Sequence, residues 1–228
     1  MKKGYITVLI SLLLTACTEA ATNSTTPPPP TAAAIQNQSQ PMPTAASNAI
    51  EITGPITLSR NDLFPYGSSP EYLSVVLTKG KYFEDWSPGP FMGRNWAGEF
   101  QIQLSNDQGE VISAVDLNGY FQEDLVFNSL FDIEFDDYNG DGNIDFTIGQ
   151  YASSNGNIYK LFTLEPAGRI EELPIEGHRE LLISGAGRYS AKLAKNKSGF
   201  SSTYYDNSIG KTVIQSFAWN GKQFVSEP

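Results

Sequence analysis

The sequence predicts an all-β fold of short antiparallel strands for residues 49–228, and three observations predict it. Apolar and polar residues alternate there in short runs, the period of a half-buried strand. Gly, Asn, Asp and Pro stand between the runs in turn-forming combinations. Only one stretch, 118–130, offers a weak helical pattern, with Glu123, Asp124 and Leu125 ahead of Val126 and Phe127. Several short strands punctuated by such turns make an all-β domain.

The elements follow in order. Residues 56–59 and 72–77 read as extended, the second carrying adjacent valines at 75 and 76. Over 99–104, Phe100, Ile102 and Leu104 face one way and Gln101 and Gln103 the other. The turn Asn106-Asp107-Gln108-Gly109 then joins this run to 111–117 as a hairpin. Residues 131–135 alternate Phe131, Ile133 and Phe135 against Asp132 and Glu134, and 145–148 is the next strand. Residues 157–164 and 170–173 are joined by Pro166-Ala167-Gly168-Arg169. Strands over 181–184, 201–205 and 212–219 continue the series, and Asn220-Gly221 turns the chain into 223–225.

The first residues read as an address. Lys2 and Lys3 precede an apolar run over 6–14, too short to span a bilayer. Leu14-Thr15-Ala16-Cys17 closes the run with the only cysteine of the chain. The segment resembles a bacterial lipobox, which implies a signal peptide over 1–16 and lipidation (palmitate) at Cys17. The plainer alternative is an ordinary secretory signal with a chance cysteine. Acyl chains would anchor the protein to the cell membrane or the outer membrane, on the side away from the cytoplasm. Residues 17–48 hold Pro27 to Pro30 in a row, Pro41 and Pro43, with Glu19 as the single charge. That composition cannot bury enough apolar surface to offset its ordering cost, so it reads as a disordered tether.

Composition excludes several functions. Across 228 residues, 15 Lys or Arg face 25 Asp or Glu, a net charge of −10. Gripping nucleic acid through its phosphates needs the opposite balance, and an exposed polybasic membrane patch is excluded on the same ground. One histidine and one cysteine rule out a Cys/His zinc cluster, an intrachain disulfide framework and a His-rich iron or copper centre. Oxygen ligands remain, and Asp and Asn are abundant.

One motif stands out. Asp137-Tyr138-Asn139-Gly140-Asp141-Gly142-Asn143-Ile144-Asp145 places oxygen-bearing side chains at positions 1, 3, 5, 7 and 9, with glycine at 6. This is the spacing of a calcium loop, and Ca2+ takes six to eight oxygens. Asp137, Asn139 and Asp141 at alternate positions can point inward together. Asn143 can offer its carbonyl, and Asp145 closes the loop directly or through water. Position 12 is Ile148, where an EF-hand needs glutamate, and the flanks read as strands. The alternative is an Asx-rich turn without metal.

The stretch from Phe135 through Gly149 resembles the FG-GAP or VCBS repeat of integrin-alpha-like β-propellers and many secreted bacterial proteins. The resemblance implies calcium ligands at Asp137, Asn139, Asp141, the Asn143 carbonyl and Asp145, with a structural role for the ion. It also implies a blade-like sheet over 131–173, two strands around the loop and two after it. A second full copy is absent from the sequence. Residues 204–210 and 218–224 resemble pieces of a blade that lack the calcium pattern. The expectation is therefore a β-propeller-like domain or a small compact β-domain.

Enzymatic function finds little support. Ser184-Gly185-Ala186-Gly187-Arg188 lacks a nucleophile-elbow pattern, and His178 lies in the polar, turn-like Glu176-Gly177-His178-Arg179-Glu180. Binding is better motivated. The Gly/Pro-rich stretch 86–96 carries Trp86, Phe91, Arg94 and Trp96, a candidate surface for a protein or glycan partner. The same aromatics equally suit the core. The sequence thus reads as a lipid-anchored, calcium-binding, non-enzymatic β-domain that binds or scaffolds at the cell envelope. The alternative is an envelope hydrolase, or a glycan-binding accessory module, with structural calcium.

Overall fold

The computed structural model describes residues 48–67 and 70–227. The signal peptide, Cys17 and all of the tether but Asn48 lie outside the described residues. The rest is all-β and almost wholly antiparallel, in three sheets that follow one another along the chain.

The first sheet has six strands: β1 (Ile50–Ile52), β2 (Ile56–Asp62), β3 (Tyr72–Asp85), β4 (Gly93–Ser105), β5 (Val111–Asp116) and β6 (Leu125–Phe127). Its spine is the long β3–β4 hairpin. β1 and β2 share the outer edge of β3, and β5 and β6 share that of β4. The alternation read in the sequence holds, since Phe100, Ile102 and Leu104 are buried opposite Leu77, Val75 and Leu73.

The second sheet contains β7 (Phe135–Asp136), β8 (Ile144–Ser153), β9 (Gly156–Leu164), β10 (Ile170–Glu172) and β11 (Leu181–Ile183). β7, β8, β9 and β10 form a four-stranded meander, and β11 pairs with β9 beyond the end of β10. The third sheet is a second meander: β12 (Ala194–Lys195), β13 (Gly199–Asp206), β14 (Lys211–Trp219) and β15 (Phe224–Ser226).

The middle sheet is covered on both faces, so β8 is buried without interruption from Asp145 to Gln150. Successive side chains of a strand point to opposite faces. Phe146, Ile148 and Phe162 therefore join Phe100 and Phe127 in one core. Tyr159 and Leu161 join Phe200, Phe217 and Phe224 in a second. Burying each such side chain stabilises the fold by about 1.5–3 kcal/mol, and the aromatic rings pack tilted or edge-on, as with Phe200 on Phe224 at 4.8 Å. Three sheets among the described residues are fewer than the four blades of a propeller, and the architecture is that of a small β-domain.

Two sequence expectations are corrected. The helix over 118–130 does not form. A single 3-10 turn, Leu117–Tyr120, is followed by β6. Leu125, Val126 and Phe127 are all buried because β6 docks on β4 with core on both sides, a demand that overrides a weak helical period. The strand expected over 131–135 is laddered only at Phe135–Asp136. The preceding amides bond elsewhere: Phe131 N to Leu58 O, Ile133 N to Asn61 Oδ1 and Glu134 N to Ser190 Oγ. The segment crosses between sheets and finds its partners in loops and side chains.

Candidate metal centre

The Asx-rich loop connects β7 to β8, and its ends are fixed by the pairs Asp136–Asp145 and Phe135–Phe146. Gly140 (φ +76°) and Gly142 (φ +85°) adopt the left-handed conformation that side chains disfavour, and this lets nine residues reverse direction. Tyr138 turns the other way, into the core beneath. It is buried, it packs on Phe200 at 5.9 Å, and its hydroxyl accepts a hydrogen bond from Leu193 N at 3.0 Å. The second residue of the loop thereby anchors it to the layer shared with the third sheet.

The loop's side chains cap its own amides. Asp137 accepts from Gly140 N at 2.7 Å and Gly142 N at 3.2 Å. Asn139 Oδ1 accepts from Asp141 N at 3.0 Å, while Asn139 Nδ2 donates to Asp141 Oδ2 at 2.8 Å. Asp141 Oδ1 accepts from Asn143 N at 2.8 Å. Asp145 Oδ2 accepts from Tyr138 N at 2.7 Å and Asn139 N at 3.2 Å.

Asp145 differs from the others in its surroundings. It is wholly buried, and its Oδ1 has no hydrogen-bond partner. Burial pushes its carboxyl up to about 6, against the pull of the nearby Thr163 hydroxyl and of the Tyr138 and Asn139 amides. A buried carboxylate with an unpartnered oxygen calls for a counter-charge.

The donor set suits a hard cation, since every candidate ligand is oxygen and a carboxylate oxygen that accepts one amide keeps a lone pair. The grouping is looser. Among the described residues, no three His, Cys, Asp or Glu side chains cluster closely enough to hold a metal ion. Asp137, Asn139, Asp141, Asn143 and Asp145 thus share one loop, each side-chain oxygen described above except Asp145 Oδ1 being occupied by a donor of that loop.

The other four candidates differ in burial. Phe91 is half-buried, packs edge-on against Tyr151 at 5.7 Å and flanks the small cluster of Phe83, Ala97 and Val126. Its loop is pinned where Arg188 Nη1 donates to Pro90 O at 2.6 Å. Trp96 lies against the first core and tilts over Tyr82 at 5.5 Å. Trp86 is 68% exposed, and Arg94 is exposed as well. Glu84 and Tyr82, which the sequence reading passed over, stand between these aromatics. The alternation Tyr82, Glu84, Trp86 is the signal that pointed to them.

His178 packs edge-on against Phe217 at 5.5 Å, and burial lowers its pKa. Ser184 borders a cavity of about 370 Å³ beside β13, near Ser190, Lys192 and Ser202. Its hydroxyl accepts from Tyr205 N at 2.9 Å and donates to Asn155 O, so it joins the second sheet to the third.

Fold and site together define a class, a three-sheet β-domain with an Asx-rich strand-to-strand loop. No protein family, no curated protein and no solved structure matches the chain.

Proposed function

We propose that the chain is a lipid-anchored, extracytoplasmic calcium-binding β-domain that acts as a binding or scaffolding protein at the cell envelope. The observation that carries the calcium reading is Asp145: a buried carboxylate with an unpartnered Oδ1, at the ninth position of a loop with calcium spacing. Asp137, Asn139, Asp141, the Asn143 carbonyl and Asp145 would hold the ion. Bound there, Ca2+ would supply charge neutralisation and rigidity. The chain's own part is to present oxygens and to fix the loop ends through the β7–β8 pairing and the Tyr138 anchor. The resemblance of residues 135–149 to the FG-GAP or VCBS repeat supports a structural ion, and the Cys17 motif supports the anchor. The commitment of the Ser184 hydroxyl to two backbone partners favours a binder over a serine hydrolase.

Calorimetric titration of the full chain with calcium tests this, beside thermal melts of wild type and Asp141→Ala. Saturable binding near one equivalent, lost in the variant together with the calcium-dependent rise in melting temperature, is the expected result. Absence of heat at millimolar calcium, with identical melts, leaves a plain Asx turn.

A further inference from the structure

The far end of the β3–β4 hairpin carries a surface strip in which Glu84, Trp86 and Arg94 are exposed, while Tyr82 and Trp96 are half-buried, Trp96 resting its inner side on the first core. Register places Tyr82 opposite Trp96 and Glu84 opposite Arg94, and paired residues share a face. Ile50 on β1 extends the first row, being paired with Tyr82 and 59% exposed. Trp86 completes the strip where the chain leaves β3. Glu84 ties it together: the Tyr82 hydroxyl donates to its Oε1 at 2.5 Å and Trp86 Nε1 donates to its Oε2 at 3.1 Å. These hydrogen bonds hold the Glu84 carboxyl below its ordinary range. The loop behind it is fixed through Phe91 on Tyr151 and Arg188 on Pro90, so Trp86 is presented from an anchored turn.

We infer that this strip, Tyr82, Glu84, Trp86, Arg94 and Trp96, binds a neutral glycan chain. The inference rests on the reading of the chain as a binding module and does not require the calcium. A sugar ring offers an apolar C–H face and a rim of hydroxyls. An exposed indole such as Trp86 takes the face through its electron-rich π surface. The rim needs acceptors and donors side by side, and a carboxylate next to a guanidinium provides both as charge-assisted partners. Each Glu84 oxygen keeps acceptor capacity beyond the bond it already receives. Charge selects within the class. A chain of net charge −10 repels polyanions at long range, so uncharged glycans fit and acidic ones do not. A protein partner would favour a closed apolar centre, whereas here charged groups stand between the rings.

Affinity gel electrophoresis of the full chain tests the assignment, with dextran, laminarin and glucomannan in the gel and alginate as the acidic control. Retardation by at least one neutral polysaccharide, weakened roughly tenfold in Trp86→Ala and also reduced in Glu84→Gln, supports it. Both positions are exposed, and circular dichroism of each variant confirms that it folds. Retardation by none of the neutral polysaccharides overturns the inference and leaves the strip to a protein partner. Equal retardation of wild type and both variants, or stronger retardation by alginate, overturns it too. Running Asp141→Ala in parallel separates the two readings. Retardation by a wild-type chain that calorimetry shows not to bind calcium removes the metal and keeps the glycan, and retardation of Asp141→Ala equal to wild type shows that the strip acts without the loop. Calcium binding without retardation does the reverse.

Discussion

Asp145 and Thr163 sit opposite each other across the β8–β9 ladder, both are buried, and neither Asp145 Oδ1 nor Thr163 Oγ1 makes a hydrogen bond of ordinary geometry, although the Thr163 hydroxyl lies near enough to pull the Asp145 carboxyl down. Unpartnered polar atoms are costly in a low-dielectric interior. Under the calcium proposal a bound cation would relieve that cost, and Asp145 is where the relief is measurable.

Asp145→Asn removes the buried charge and keeps an acceptor for the Tyr138 and Asn139 amides. Without calcium at pH 7, the variant should be more stable than wild type by about 1–3 kcal/mol. With saturating calcium the order should reverse, because only the wild type gains. Urea denaturation in chelator and in calcium measures both.

The same residue sets a pH dependence. Its folded-state value, about 6, lies above its ordinary one. Its contribution is thus fully present below about pH 4 and is lost as pH rises through 6. In chelator, the stability of wild type relative to Asp145→Asn should fall by about 3 kcal/mol between pH 4 and 8. Saturating calcium should abolish that fall.

Two glycines should respond differently to alanine. At Gly142 an added Cβ meets nothing within 4 Å, so only the left-handed backbone (φ +85°) opposes it, at about 1–2 kcal/mol. At Gly149 a Cβ would stand 2.5 Å from Tyr159 Cε1 and 2.6 Å from Arg188 O, inside a packed layer. Gly149→Ala should cost more, about 3 kcal/mol. Equal losses in chelator would contradict this.

Tyr138→Phe keeps the ring in the second core and deletes the acceptor of Leu193 N. It should destabilise by about 1–3 kcal/mol and weaken calcium binding, since the loop loses its anchor. Calorimetry on the variant reads the second effect.

Lys160 is buried and meets Glu172 at 2.8 Å, the Glu172 side chain being 32% exposed. Glu172→Gln strands the ammonium and should cost about 2 kcal/mol, below the fully buried range because of solvent screening. Lys160→Met, which removes the buried charge, should cost less. Thermal melts of the pair give the comparison.

Much of the fold was legible because antiparallel hairpins are local. The alternation over 99–104, the turn at 106–109 and the Asn220-Gly221 turn each act within a dozen residues, and each lies where the sequence placed it. Of the strands expected between 131 and 173, all four occur as β7 to β10, the first cut to Phe135–Asp136, in a sheet that β11 extends to five. What failed was non-local. β6 is a strand because β4 and the cores on either side require it. Residues 131–134 leave the ladder because their amides find Leu58, Asn61 and Ser190, far away in sequence.

The candidate site divides in the same way. Donor types, their spacing and the glycine reversal belong to nine consecutive residues, so the sequence by itself determined them, as it did the all-β class. Only the tertiary structure decided that Asp145 is buried with an orphan oxygen, that Tyr138 faces inward, and that Trp86 is exposed while Phe91 and Trp96 are drawn toward the core. The physical reason is that burial is a property of packing between sheets. The period of two says which residues share a face, and only the neighbouring sheet says whether that face meets water.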